Sequence, residues 1–174
     1  IITFSPVASV RKNLLAYRDQ CEEYGYECPP EQLGWAMPAY VAETDEIARK
    51  EAAIHIESLF NKFIASPTQY KLPPGYSSLA SYKAVIEGKY KVRQNYLDCD
   101  TLVDNGMFLC GSAKTLVAKL EEYQKEMGFG NIAPMLQFGT LPKELTEKNL
   151  HLFAEEVIPK VKHLGVGAEK VAAE

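Results

Sequence analysis

The sequence predicts an α/β fold built on a parallel sheet. Three apolar segments have the length of strands, and each is followed by a segment with helical periodicity. The middle strand, Leu33–Ala42, is a nearly continuous apolar run, which is typical of a strand buried on both faces of a parallel sheet. Alternating strands and helices favour right-handed crossovers between neighbouring parallel strands.

Composition narrows the class of protein. The chain has 174 residues, of which 47% are hydrophobic and 24% charged, so residues 1–174 are expected to form one globular domain. The net charge of −4 argues against nucleic acid and anionic membrane surfaces as partners, because both select basic patches. No apolar run approaches the roughly 20 residues of a membrane span. A cytoplasmic location is therefore expected.

The four cysteines do not form a metal-binding pattern. None belongs to a CxxC pair, and only three histidines accompany them, so no metal site is predicted. Their even number leaves a disulfide framework open, although free thiols in a cytosolic protein are favoured. The cysteines are Cys21, Cys28, Cys99 and Cys110.

The first elements follow from periodicity and capping residues. Ile1–Phe4 is a short strand, and a helix is expected from Ser9 to Tyr24, before Gly25. Pro38 predicts a bulge or a strand end inside the second strand. Thr44 is expected to cap a helix that runs to about residue 63. The core face expected for that helix consists of Ile47, Ile54, Leu59, Phe60 and Phe63.

The second half contains a long excursion and a closing strand and helix. Residues 64–106 interrupt the alternation and are interpreted as an insertion. Phe108–Cys110 is too short for a confident strand, and Ser112 is expected to cap a helix that ends at Gly128. The last strand, Ile132–Phe138, precedes a helix that Pro142 can open.

Five motifs in this order resemble the bacterial luciferase-like family of flavin-dependent monooxygenases. They are Ile1–Phe4, AYRDQCEEYGY, YVAETDEIARKEA, CGSAKTLVAKLEEYQKEMGF and MLQFGTLPKELTEKNLHLFAEEVIPKV. The resemblance implies a TIM (β/α)8 barrel, of which this chain would supply the C-terminal part, about strands six to eight. The excursion at 64–106 would correspond to the family's insertion near the active site.

The resemblance also implies a chemistry. Family members take reduced FMN from a separate flavin reductase and use O2 to oxidise a small organic substrate such as an aldehyde or an alkane. One branch uses a deazaflavin instead, and a non-catalytic partial barrel is a third possibility. The piece alone is expected to be inactive, and either to form a homo-oligomer or to associate with the missing N-terminal part.

The resemblance assigns six residues to a site. Thr3 and Phe4, at the end of the first strand, would lie against the flavin. Gln137 and Phe138, at the end of the last strand, and Trp35 and Met37, on the second strand, would line the substrate pocket. For Phe4, Trp35 and Met37 the alternative is ordinary core packing, and for Gln137 the alternative is a role in capping the loop. No catalytic residue is assigned, because the family's active-site histidine comes from an earlier strand, and His55, His151 and His163 are interpreted as structural.

Overall fold

The computed structural model describes residues 2–65, 75, 78–83 and 96–165. Within these ranges four strands alternate with helices, as the sequence predicts for an α/β fold. The strands are β1 (Ile2–Thr3), β2 (Gly34–Ala42), β3 (Leu109–Ser112) and β4 (Asn131–Met135). The helices are α1 (Val7–Glu23), α2 (Asp45–Ser58), α3 (Cys99–Asp104), α4 (Ala113–Met127), α5 (Lys143–Leu152) and α6 (Ile158–Val161). Single π-helical turns extend α2 over Leu59–Phe63 and join α5 to α6 over Phe153–Val157.

Strand β2 lies at the centre of a parallel sheet. Both β1 and β4 pair with Trp35 and Ala36, so they flank β2 on opposite edges. The register with β4 ends at Pro38, and the register with β3 begins at Ala39. Strand β2 therefore continues through Pro38, and the bulge or strand end expected there is not found. Instead, the pairing with β4 ends at Pro38 and the pairing with β3 begins at the next residue. The missing proline N–H falls at this changeover.

A strand forms at the short apolar segment Phe108–Cys110, whose length alone does not predict one. Strand β3 pairs Leu109 with Ala39 and Ser112 with Ala42. Because α4 begins immediately after these four residues, the segment is too short for an apolar periodicity to be recognised in the sequence. The parallel α/β class is confirmed, with four strands rather than three in the described part of the chain.

The two faces of β2 support separate apolar cores. The odd-numbered side chains face α1 and α4, whereas Tyr40 and Ala42 face α2 and α3. The first core contains Val10, Leu14, Leu33, Trp35, Met37, Ala39, Val41, Leu109, Leu116, Leu120, Tyr123, Met127, Phe129, Phe153 and Val157, among others. The second contains Tyr40, Ala48, Ala52, Ile56, Leu59, Phe60, Leu102, Phe108, Cys110, Phe138 and Leu141, among others.

The face of α2 that packs on the sheet differs from the predicted one. Leu59 and Phe60 are buried as expected, but Ile54 is 68% exposed and Phe63 is 63% exposed. The buried stripe is made of small residues, Ala48 and Ala52, followed by Ile56. Small side chains let the helix backbone lie close to the sheet, so the prediction, which followed side-chain size, selected the wrong face.

Three expected helix boundaries are confirmed. The Thr44 hydroxyl accepts a hydrogen bond from the Ile47 N–H, and the Ser112 hydroxyl accepts one from the Thr115 N–H. Gly128 ends α4 in the left-handed conformation, with φ of 67°. None of the helices described is long and apolar enough to cross a membrane. Much of the predicted insertion, namely 66–74, 76–77 and 84–95, lies outside the described residues.

Candidate functional site

The carboxyl ends of β1 and β4 bring Phe4 and Phe138 into one apolar cluster. Phe4 follows β1 with φ of 50°, a left-handed conformation that bulky residues rarely adopt. Its half-buried ring meets Phe60 edge-on, with centroids 6.0 Å apart. Strained backbone conformations of this kind concentrate at functional sites. Phe4 is therefore the most distinctive candidate residue at the strand ends.

Phe138 is more deeply buried than Phe4. Its ring is 1% exposed and meets Phe108 and Tyr40 edge-on at 5.4 and 6.3 Å. The neighbouring Gln137 is exposed. Both residues lie beyond β4, which ends at Met135 and not at Phe138 as the sequence predicts. Gln137 is available to a ligand, whereas Phe138 is part of the apolar core beneath the strand ends.

Trp35 and Met37 lie in the other core, beneath α1 and α4. Trp35 is 1% exposed and meets Tyr123 and Phe129 at 5.3 and 6.1 Å. Its indole N–H has no hydrogen-bond partner among the described residues. Met37 is 2% exposed in the same cluster. The structure thus separates these two residues from Phe4 and Phe138, and their role in a substrate pocket stays a prediction.

Thr3 is described only through its backbone. It pairs with Ala36 in the sheet, so its position places it one residue before Phe4 at the end of β1. Its side chain lies outside the described part of the structure. Its predicted contact with a flavin stays a prediction.

A polar network that the sequence did not predict joins β2, α2 and α5. The Tyr40 hydroxyl donates to the Glu51 carboxylate at 2.8 Å, and the Lys148 ammonium lies 2.9 Å from the same carboxylate. Lys148 also pairs with Glu43 at 2.8 Å, which lowers the Glu43 pKa. Burial and the Glu51 contact raise the pKa of Tyr40. Partial burial opposes the charge on Lys148, but the two carboxylates outweigh it and raise its pKa.

The N-terminus of α4 is occupied by a carboxylate of the chain itself. Asp45 accepts hydrogen bonds from the Ser112 backbone N–H at 2.6 Å and from the Thr115 hydroxyl at 2.9 Å. The Ser112 N–H is the main cause of the lowered pKa of Asp45. A helix N-terminus can bind phosphate, but here the anion is already supplied. The residues around Ser112 are therefore poorly suited to hold a flavin phosphate.

A cleft of about 480 Å³ opens beside Asp45, between α2, α3, β3 and α4. Its volume lies in the range of small-molecule sites. Its walls combine apolar residues with charged ones, Arg49 and Lys119 among them, and include none of the six predicted site residues. Both cations already have carboxylate partners, Asp100 and Glu122.

His55 contacts the loop that follows β4. Its Nδ1 lies 2.8 Å from the Thr140 hydroxyl, two residues beyond Phe138. Burial lowers the pKa of His55. The sequence placed this residue on a helix surface, and only the fold brings it beside the loop after β4. Among the described residues, no three His, Cys, Asp or Glu side chains are grouped as a metal site would require.

The arrangement of strands and helices is similar to part of the structure of two solved monooxygenases. A type II Baeyer–Villiger monooxygenase, the oxygenating constituent of 3,6-diketocamphane monooxygenase from the CAM plasmid of Pseudomonas putida in complex with FMN, matches 90% of this chain. The identity is 21% and the TM-score 0.61. Monooxygenase RslO1 from Streptomyces bottropensis matches 89%, at 19% identity and a TM-score of 0.57.

These similarities establish the fold alone, because both identities are low. The chain spans about two fifths of the length of these proteins, 41% and 39% respectively. No protein-family model matches the sequence. No curated protein matches it either.

Proposed function

We propose that this chain belongs to a flavin-dependent monooxygenase of the luciferase-like type, which uses reduced FMN and O2 to oxidise a small organic substrate. One observation carries the proposal: 90% of the chain matches, with a TM-score of 0.61, a monooxygenase solved with FMN. The five sequence motifs support the same class independently. Reduced flavin would come from a separate reductase, and when bound it supplies the electrons for oxidation of the substrate by O2.

The strand ends fit the flat ring of a flavin better than they fit its phosphate. Phe4 is half-buried and provides apolar surface above the core that contains Phe138, and it is held in a strained backbone conformation. Apolar walls exclude water, which strengthens every electrostatic contact made inside the site. The phosphate would be held elsewhere, because Asp45 occupies the N-terminus of α4. In this proposal Thr3 and Phe4 contact the ring, and Gln137 contacts substrate.

The proposal treats the chain as the C-terminal part of a TIM barrel. The solved structures that it matches are a little more than twice as long, and the four described strands cannot close a barrel. Catalytic residues are then expected on strands that this sequence does not contain. Activity belongs to the whole barrel, and this part contributes one side of its mouth.

One observation favours a non-catalytic role as the second candidate. The ionisable groups around the end of β2 already have partners: Tyr40 and Lys148 contact Glu51, and Asp45 accepts a hydrogen bond from the Ser112 N–H. Such satisfied groups stabilise a fold and leave few free acids or bases for chemistry. A deazaflavin-using oxidoreductase remains the alternative within the same family.

The test uses the full-length natural gene product. We expect it to bind FMN, with flavin absorbance after gel filtration, and to consume O2 in the presence of reduced FMN and a reductase. Binding of a deazaflavin without FMN would instead support the other branch. A full-length protein that binds no flavin would reject the monooxygenase proposal and favour the non-catalytic role.

A further inference from the structure

A shallow concavity of about 390 Å³ lies at the C-terminal end of α1, and the proposed function does not use it. Three tyrosine rings line it, those of Tyr17, Tyr24 and Tyr26. They are 46%, 71% and 72% exposed. The other lining residues are Gln20, Cys21, Glu27 and Gln32. Such a density of exposed aromatic rings around one hollow is typical of a recognition surface.

The turn that ends α1 holds the backbone of Tyr24 and Tyr26 through hydrogen bonds. The Tyr24 N–H donates to the Gln20 carbonyl at 3.0 Å, and the Tyr26 N–H donates to the Cys21 carbonyl at 2.8 Å. Gly25 supplies the left-handed conformation between the two tyrosines, with φ of 71°. Tyr17 lies on α1, one turn before Cys21, and lines the same hollow. The backbone that carries Tyr24 and Tyr26 is thus held by the turn, which reduces the backbone entropy lost on binding.

The chain segment that lines this hollow, residues 17–32, is acidic. Residues 17–32 contain five acidic residues and one basic residue, a net of −4 that equals the net charge of the full sequence. One of the acids, Glu27, lines the hollow and has no hydrogen bond or ion pair with any described residue. The single base, Arg18, lies outside the lining, with its guanidinium beside Gly128.

The end of α1 adds to the negative potential. A helix C-terminus carries a partial negative charge, which basic side chains in the last turn commonly offset. The last turn of α1 has no basic residue. A cation bound among the rings would therefore be attracted by three groups: the faces of the rings, the Glu27 carboxylate and the partial negative charge at the C-terminus of α1.

We propose that this hollow binds a small alkylated ammonium compound, through the three tyrosine faces and the Glu27 carboxylate. Aromatic rings attract cations through their quadrupoles, and quaternary ammonium groups are bound in this way because they are bulky and apolar at their surface. A neutral proline-rich peptide can also dock on aromatic surfaces, but it would not exploit the local charge. Charge therefore decides between the two ligands.

The experiment titrates the protein with choline and follows tyrosine ring resonances by NMR. The matched ligand is 3,3-dimethylbutan-1-ol, which has the shape of choline without its charge. We expect choline to shift the resonances of Tyr17, Tyr24 and Tyr26, with the alcohol binding at least roughly ten-fold more weakly at equal ionic strength. Equal binding of the two, or binding of neither, would overturn the proposal.

Variants locate the site. Tyr24→Leu and Tyr26→Leu should each weaken choline binding roughly two- to five-fold, the value expected for one exposed ring. Glu27→Gln should weaken it similarly, whereas Glu23→Gln, which makes the same charge change outside the lining, should weaken it clearly less. All four positions are exposed, so the fold should survive, as circular dichroism would check. Equal effects of Glu23→Gln and Glu27→Gln would contradict a defined site.

Discussion

The side-chain oxygen of Asn149 accepts a hydrogen bond from the backbone N–H of Val41 at 2.9 Å. The amide nitrogen of Asn149 donates to the carbonyl oxygens of Ala39 and Leu136, both at 2.9 Å. Asn149 is fully buried and lies in α5, while Leu136 follows β4. One side chain thus replaces ladder hydrogen bonds at the place where β4 stops pairing with β2.

Replacing Asn149 should therefore be costly. In Asn149→Leu, which has similar volume, three buried backbone groups lose their partner, and each such group costs about 1–3 kcal/mol. We expect the free energy of unfolding to fall by about 3 kcal/mol or more, measured by urea denaturation. Asn13→Leu, on the exposed face of α1, should change it by less than about 0.5 kcal/mol. A loss below about 1 kcal/mol for Asn149→Leu would contradict this account of the sheet.

Asp45 should make stability depend on pH in the acid range. Its pKa is lowered in the folded state, chiefly by the Ser112 N–H, so the stabilisation is present above the unfolded pKa of 3.8. That stabilisation is lost as pH falls through the lower folded pKa. Asp45→Asn should cost about 1 kcal/mol at neutral pH, and the difference from wild type should shrink as the pH approaches the folded pKa.

The matched variant for Asp45→Asn is Glu46→Gln. Glu46 lies in the same first turn of α2 but makes no hydrogen bond to α4 among the described residues. Its effect should be smaller and should not follow the same pH profile. Unfolding curves at a series of pH values measure both variants, and parallel profiles would contradict the proposed role of the Ser112 contact.

Two glycines with similar backbone angles should respond differently to alanine. Gly139 has φ of 55°, and a Cβ there would overlap the carbonyl oxygen of His55 on α2. Gly25 has φ of 71°, but no atom lies within 4 Å of its Cβ position. Gly25→Ala should cost only the conformational penalty of about 1–2 kcal/mol. Gly139→Ala should cost clearly more, because α2 must move, and equal losses in thermal unfolding would refute this close approach.

Substitution of Phe4 tests whether the proposed flavin site lies at the end of β1. In the full-length protein, Phe4→Ala should weaken FMN binding, because it removes apolar surface from the predicted ring site, by roughly ten-fold for a side chain worth about 1.5 kcal/mol. Phe63→Ala, which removes an exposed ring from α2, should leave flavin binding unchanged. Fluorescence quenching of FMN measures both. Unchanged affinity in Phe4→Ala would remove Phe4 from the site without excluding flavin binding elsewhere.

The chain by itself is expected to associate. Among the described residues, β3 pairs only with β2, so its other edge can accept a further strand. Light scattering of the isolated 174-residue chain should show dimers or larger species. Adding the remaining part of the barrel should shift them to a defined complex. A stable monomer at dilute concentration would contradict the partial-barrel proposal.

Much of the fold was predictable because it depends on local signals. Thr44, Ser112 and Gly128 mark helix ends through hydrogen bonds and backbone angles that involve only near neighbours. The buried strand β2 was recognisable from its continuous apolar run. The sequence also contains a signal for the burial of Asn149, because this residue lies on the same helical face as the apolar residues Leu145 and Phe153.

Pairing between distant residues was not predictable in this way. Nothing local indicates that Lys148 meets Glu51, or that Asp45 reaches Ser112, since such contacts depend on how two helices are set against one sheet. The same holds for the rotation of α2, where close approach selected Ala48 and Ala52 over Ile54. The split of Trp35 and Phe138 between two cores likewise required the register of β2 with its neighbours.

The sequence by itself determined the order of strands and helices, their caps and the parallel class of the sheet, because propensity and hydrophobic period act over a few residues. Only the tertiary structure decided which residues share a site. It brought Phe4 beside Phe60 and Phe138 into the same cluster, and it gathered three tyrosines and Glu27 around one hollow. These juxtapositions arise from long-range packing, whose free energy is spread over many contacts and is not encoded in any single segment.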